Sequence, residues 1–341
     1  MIRCFKICLN VPHMLKVKKI IKNLSFVALL SVIFAQLHAS SLEIVRLKNN
    51  PIIKPEMLPG KDGANINGPC LIKVPEWVKN PLGKYYLYFA HHSGTYIRLA
   101  YANSIEGPWT VYAPGTLKLS EAPGCKGHIA SPDVIIDEKT KEFRMYFHGP
   151  SKKVDGQKTY LAISQDGIHF KASDEILGIF YWRVVPDDQG WFAMGKGGQM
   201  YRSHTGLTVF EEGRNPFPES IGRTKEANTP GPRHLALEPV AGGLWVYYTN
   251  IGDAPERILR VFINTQGDWN TWKTTKPEEV LQPEKLYEGV ELPITHSLAG
   301  ETKVREHAVR DPAIYKENGH RYLVYSVAGE SGIAIAELID K

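Results

Sequence analysis

The chain has 341 residues, 43% hydrophobic and 23% charged, with 30 Gly, 23 Pro and a formal net charge of +5. That mixture excludes a disordered, collagenous or coiled-coil protein and leaves room for one large domain or two small ones. The positive charge is local: residues 1–39 hold six Lys and Arg and no acid, leaving 35 basic against 36 acidic residues in the rest, without the footprint of a nucleic-acid binder.

Residues 1–39 read as a signal peptide. Lys16, Lys18, Lys19 and Lys22 form a basic start, Leu24 to Phe34 is apolar but short for a membrane span, and Leu37-His38-Ala39 offers cleavage after Ala39. Met14 is a second candidate start. The expectation is a periplasmic or secreted protein, residues 40–341, with no membrane association once the leader is removed; the alternative is a membrane anchor. Cys4 and Cys8 leave with the leader. Cys70 and Cys125 remain in an oxidising compartment, where one disulfide is expected and two buried free thiols are the alternative.

Ser40 to Asn65, punctuated by Pro51, Pro55, Pro59 and Gly60, reads as a lead-in with a strand that closes the fold. From Asn67 a unit repeats. A short polar motif opens a first strand, a turn follows, then an aromatic-rich second strand, a third and a fourth. The first unit runs from Asn67-Gly68-Pro69 through Lys84–Ala90 and Tyr96–Ala102 to Trp109. The second opens at Ser131-Pro132-Asp133 and continues with Phe143–Phe147 and Thr159–Ser164. The third takes Ile179–Val185 as its first strand, then Trp191–Met194 and Gln199–Ser203. The fourth is Arg233–Val240, Leu244–Thr249 and Ile258–Ile263; the fifth is Arg310–Tyr315, Arg321–Ser326 and Gly332–Leu338. β-Branched and aromatic residues between Gly, Pro, Asn and Asp turns suit short antiparallel strands.

Five such units, marked by Pro69, Pro132, Pro186, Pro239 and Pro312, predict an all-β fold: a single five-bladed β-propeller over residues 40–341, with four antiparallel strands per blade. A β-sandwich, or two, is the alternative. In a propeller the first strands line an axial pocket. Asn67, Asp133, the Tyr181-Trp182-Arg183 group, Glu238 and Asp311 stand at their predicted heads and would become neighbours. Carboxylates sharing a pocket suit glycosidic cleavage, one protonated to release the leaving oxygen and one ionised to activate water or attack.

With Ser131-Pro132-Asp133-Val134 before a strand and a Tyr-rich strand, Glu238-Pro239 in a later blade and Arg310-Asp311-Pro312 in another, the chain resembles the five-bladed glycoside hydrolases. These are the arabinanase and xylosidase type of family 43, with invertase, neoagarooligosaccharide hydrolase and mannoside phosphorylase relatives. The resemblance covers most of residues 65–340. It implies a glycoside hydrolase in which Asp133 tunes the site and Glu238 is the general acid, while Asp311, in the last blade and so beside the first, is the nearest substitute for the pattern's first-blade base. Asn67 stands where the pattern has its basic Asp, and an amide is no useful base at neutral pH.

Two further themes concern binding. His92, His128, His234 and His307, with Asn67, are placed to rim one pocket, where imidazole can donate or accept protons near neutral pH. No His pair has a recognised zinc spacing with a third ligand. No cofactor is therefore expected, and the axial channel is the place where a structural metal ion would sit. Arg98, Arg183, Arg233 and Arg310, with Arg202 and Arg305, fall on or beside predicted inner strands, where planar forks would grip an acidic sugar or pair with internal carboxylates. The expected partner is an oligosaccharide from a uronate-bearing or sulfated polysaccharide, bound for exo-hydrolysis. Elimination on uronates by His, Tyr and Arg, and carbohydrate binding without catalysis, are the alternatives.

Overall fold

The runs that alternate aromatic and aliphatic residues between turn residues form strands, as their side chains fit a pleated surface packed on both faces. A computed structural model describes residues 42–218 and 232–341, and the predicted signal peptide lies outside them. The propeller occupies Ile44–Ile339; a second unit, Met1–Glu43 with Asp340–Lys341, is described only at Leu42–Glu43 and Asp340–Lys341.

Five antiparallel sheets follow one another along the chain as blades of a β-propeller. Blade one is Asn67–Lys73, Tyr85–Ala90, Tyr96–Ala102 and Thr110–Lys118. Blade two is Ala130–Asp137, Glu142–Pro150 and Gln157–Ser164, with the short strands Lys171–Ala172 and Gly178–Ile179 sharing its outer position. Blade three is Arg183–Asp187, Gly190–Met194, Met200–Ser203 and Glu211–Glu212; blade four is Leu235–Val240, Gly243–Tyr248, Ile258–Asn264 and Glu278–Leu281. Blade five is Val309–Glu317, His320–Val327 and Ile333–Asp340, and Leu42–Arg46 supplies its outer strand. The lead-in thus closes the ring, and Asn50 fixes the closure by exchanging two hydrogen bonds with the backbone of Ile335, 2.7 and 2.9 Å long.

Side chains from adjacent blades interleave. Tyr86, Tyr88 and Leu99 of blade one pack with Val134, Phe143 and Met145 of blade two in one buried cluster. A second joins blades five and one, a third blades three and four. A latch repeats between neighbours: Tyr88 donates its hydroxyl to Gly167 O of the next blade at 2.7 Å, and Tyr146 does the same to Gly206 O at 2.5 Å. In both turns a serine three residues earlier, Ser164 or Ser203, accepts the glycine N–H. A buried phenol with its hydroxyl satisfied contributes area and direction together.

Three inner strands open on the same irregularity. Gly68, Ser131 and Asp311 each precede a proline, each has a positive φ (59°, 46° and 53°), and each marks a slip of register against the second strand. Only Gly68 adopts this conformation without strain, and a Cβ there would also meet Ser131 Cα at 3.0 Å. Blade three departs from expectation. Its inner strand begins at Arg183, because Tyr181 has φ 60° and breaks the extended run, and Gly178–Ile179 belongs to blade two. Pro186 and Pro239 lie near the far ends of their strands, so they do not correspond to Pro69, Pro132 and Pro312.

The expected Cys70–Cys125 disulfide is not formed; both are buried free thiols. Cys70, on the inner strand of blade one, exchanges hydrogen bonds with the Val134 backbone, while the backbone at Cys125 bridges to Ser151. Burial pushes both thiols up to about 12, so they are inert packing residues. Among the described residues no helix is long and apolar enough to cross a membrane.

Candidate active site

An inner strand in this topology has two ends with different neighbours. Its start, here the head, shares a face with the turn between the second and third strands of the same blade. Its finish meets the turn between the first and second. Asn67, Ser131, His234 and Asp311 are at heads. Asp133 lies deeper, and Glu238 is the fourth residue of its strand.

Asp311 forms the floor of the head face. Its Oδ2 accepts the Gly68 N–H at 3.2 Å and the Ser326 hydroxyl at 3.0 Å. Its Oδ1 lies in close polar contact with His234 Nδ1, and neither atom has another hydrogen-bond partner. Burial works against its charge, but His234, Arg310 and Arg233 outweigh it and hold the carboxyl well below its ordinary range. Burial in turn lowers the pKa of His234.

A second histidine–carboxylate pair lies beside the first. His92 Nδ1 is 3.4 Å from Glu330 Oε1, and Glu330 also accepts from Asn65 Nδ2 and the Thr302 N–H. Burial would raise the pKa of Glu330, but the His92 hydrogen bond and the Arg310 charge bring it down to about 2. Arg310 links the two pairs: it adjoins Asp311 in sequence and lies 3.7 Å from Glu330, 2.8 Å from Glu256 and 2.6 Å from Glu306. Tyr181, turned inward by its positive φ, packs edge-on to His234 with ring centroids 4.3 Å apart and to His148 at 4.5 Å. Burial, with the charges of Asp311 and Glu330, raises its phenol pKa and keeps it protonated. His148 is buried and held neutral first by burial, then by the nearby His128, His92 and His234. Beneath Tyr181, between Gly68, Ser131, His234 and Asp311, only about 10 Å³ remains, room for a single water at most.

Arg183 separates this chamber from a lower one. Its guanidinium donates to Leu235 O (2.9 Å), Pro132 O (3.0 Å) and Pro69 O (3.2 Å), and so ties together the inner strands of blades one, two, three and four. Asp133 is its counter-ion at 3.4 Å and accepts the Val184 N–H at 2.7 Å. Burial raises the pKa of Asp133, with Arg183 opposing. Below lies a cavity of about 270 Å³ lined by Asp133 and Glu238. Glu238 accepts the Tyr247 hydroxyl at 2.8 Å and faces Lys316 at 3.4 Å and Arg321 at 3.6 Å. The three carboxylates expected in one pocket are thus divided, Asp311 above Arg183 and the other two beside or below it.

The remaining candidates fall as follows. Asn67 donates to Asn65 Oδ1 at 3.0 Å, and its own Oδ1 is buried without a partner. His128 meets Gln157 at 3.1 Å on the rim, and His307 is tied to Leu292 O at 3.1 Å. The arginines are paired internally: Arg98 with Asp62 and Asn65 O, Arg233 with Glu256, Arg202 with Asp187 and Arg305 with Glu291. None is left as a free fork for an acidic sugar. Sequence reasoning missed Asn65, Glu256 and Glu330. Glu330 was open to it, since it stands in the turn between the second and third strands of the last blade, as His92 does in the first. Among the described residues no group of three or more His, Cys, Asp or Glu is placed to hold a metal ion.

No family model matches the chain. An uncharacterized protein of Acanthamoeba polyphaga mimivirus is 35% identical over 336 residues, spanning 90% of this chain and 94% of that protein. Among solved structures, a thermostable family-43 glycoside hydrolase matches with a TM-score of 0.56 at 14% identity, over 81% of this chain and 89% of the other. A family-43 β-xylosidase/α-arabinofuranosidase from a compost microbial metagenome, in complex with xylotriose, matches at 0.54 and 15% over 81% and 91%. A structure from family 130, the mannoside phosphorylases with glycoside hydrolases that target β-1,2 mannosidic linkages in Candida mannan, matches at 0.60 and 12% over 88% and 94%. At these identities the likeness establishes the five-bladed fold.

Proposed function

Since the chain belongs to the family of the mimiviral protein and has the five-bladed fold of the family-43 and family-130 enzymes, we propose that it is a carbohydrate-active enzyme that hydrolyses glycosidic bonds at its head face. The observation that carries the reading is the placement of two histidine–carboxylate pairs, His234–Asp311 and His92–Glu330, on the head face, linked by Arg310 and with Tyr181 packed against His234.

The two pairs take the place of two free carboxylates. Asp311 fixes the orientation of the His234 ring through Nδ1, and burial keeps that ring neutral, so it can accept the proton of an attacking water. Glu330 holds His92, the more exposed of the two, as the donor to the leaving oxygen. Bond cleavage and water addition then balance: one proton enters the site from water and one leaves with the released hydroxyl. Asp133 supports the site indirectly by fixing Arg183. The wall formed by Arg183 under the chamber supports action at chain ends. The basic, apolar leader supports export of the protein from the cytoplasm.

One observation favours elimination as a second reading. The head face presents His234, His148 and a protonated Tyr181, a set able to take a proton beside a uronate carboxyl and return one to the leaving group. A panel of neutral, uronate-bearing and sulfated oligosaccharides, read by product mass and ultraviolet absorbance, tests both. Products heavier by one water in total mean hydrolysis. An absorbing double bond with no added water means elimination, and no cleavage of any member removes both.

A further inference from the structure

One cleft of the head face lies away from the axis. It has a volume of about 770 Å³ and is lined by residues of blade one and of the segment leading into blade two. Its place on the head side follows from the strand pairing. Tyr96, at the start of its strand, is paired with Lys118 at the end of the next, and the Leu119 N–H donates to Thr95 O just after the turn that carries His92. Lys126, on the other wall, precedes His128 by two residues and leads to the blade-two head at Ser131.

The walls of the cleft are charged in one sense. Lys118, Lys126 and Lys152 line it, all are exposed, and among the described residues none has an ion-pair partner. Its single carboxylate, Asp62, is already engaged by the Tyr96 hydroxyl at 2.5 Å and by Arg98 at 3.7 Å. Three unpaired ammonium groups around a concavity focus a positive potential within it. Tyr96 adds a ring to the wall, a surface on which a sugar face can stack. The volume lies in the range of ligand sites. This contrasts with the arginines, whose forks are taken by Glu256, Asp62, Asp187 and backbone carbonyls.

We infer that this cleft, through Lys118, Lys126 and Lys152, binds an anionic sugar unit of an acidic oligosaccharide whose scissile bond reaches the His234–Asp311 site. The inference rests on the hydrolase reading for its direction, while its test does not. Lysine presents a compact charge that suits a carboxylate and a sulfate equally, so the anion is decided by experiment.

Isothermal titration of the full chain with tetragalacturonate, a carrageenan tetrasaccharide and neutral xylotetraose supplies the test. One or both acidic probes bind, more weakly as salt rises, and xylotetraose binds more weakly still; the probe that binds identifies the anion. Lys126→Met with Lys152→Met lowers the acidic affinity by about 25-fold, roughly fivefold per charge. Lys79→Met, far from the cleft, leaves it unchanged. Equal binding of xylotetraose, an unaltered affinity in the double variant, an equal loss in Lys79→Met, or no binding of any probe overturns the inference. Binding is read without turnover. An acidic probe that binds through these lysines and is never cut therefore defeats the hydrolase reading alone.

Discussion

Above Arg183, Asp311 and Glu330 each hold a histidine, and the one held by Asp311 packs against an inward-turned tyrosine; below it, Glu238 holds a fixed phenol and two cations, and Asp133 holds Arg183 itself. Both ends of the axis thus carry buried acids on or near inner strands. A carboxylate paired with imidazole keeps a partner that exchanges protons near neutral pH, whereas one paired with guanidinium does not, since arginine stays charged. The partner decides whether a buried acid can do chemistry or only holds strands together.

The largest effect should come from removing the divider. Arg183→Met leaves Asp133 charged and buried and frees three carbonyls, which should cost about 3–5 kcal/mol and lower the melting temperature by about 5–10 °C. A melt within about 2 °C of the parent would show that Arg183 is not the strut described here. Activity separates the two ends in a different way. His234→Ala or Asp311→Asn should reduce kcat/KM by about 10²–10⁴-fold, while Glu238→Gln should stay within about threefold. Equal losses on both sides would erase the distinction.

Acid sharpens the contrast at intermediate size. His148 and His234 stay neutral when folded but take up protons near pH 6.5 when unfolded, so the unfolded state binds more protons and stability declines as pH falls below about 6.5. Glu330, at about 2 in the fold, adds a second decline that begins near its unfolded value of about 4.3 and is complete as pH passes its folded value. Melts across this range should show both limbs, and His148→Gln should flatten the upper one; a single limb below pH 4 would mean that the histidines are not buried neutral. The smallest effect is a null. Reductant should leave the melting temperature unchanged, because Cys70 and Cys125 are unbridged; a drop would reveal a bond between them.

Much of the fold was legible because strand and turn chemistry repeats locally. Tyr85–Ala90, Glu142–Pro150 and His320–Val327 show their pleated pattern without reference to the rest of the chain. The site was less so, and the reason is register. Proline does not mark the same point in every blade. Pro239 is near the end of its strand, so Glu238 lies below and not at the head that its proline suggests. Tyr181 carries a strand pattern in the sequence, since no local signal shows a positive φ at a tyrosine. Asp311 and His234 are both candidates in the sequence, but their pairing depends on the inner strands of blades four and five lying side by side. The antiparallel order does identify the turns that share the head face, and that rule points to His92 and Glu330 together.

Arg183 also governs traffic. Its guanidinium, fastened to three neighbouring inner strands, stands between the head face and the lower cavity. In the proposed hydrolase, whatever enters at the head would then leave at the head, so arrival and departure would compete for one doorway. A bound product then blocks the next substrate until it has gone, and turnover at high substrate would report the rate of departure.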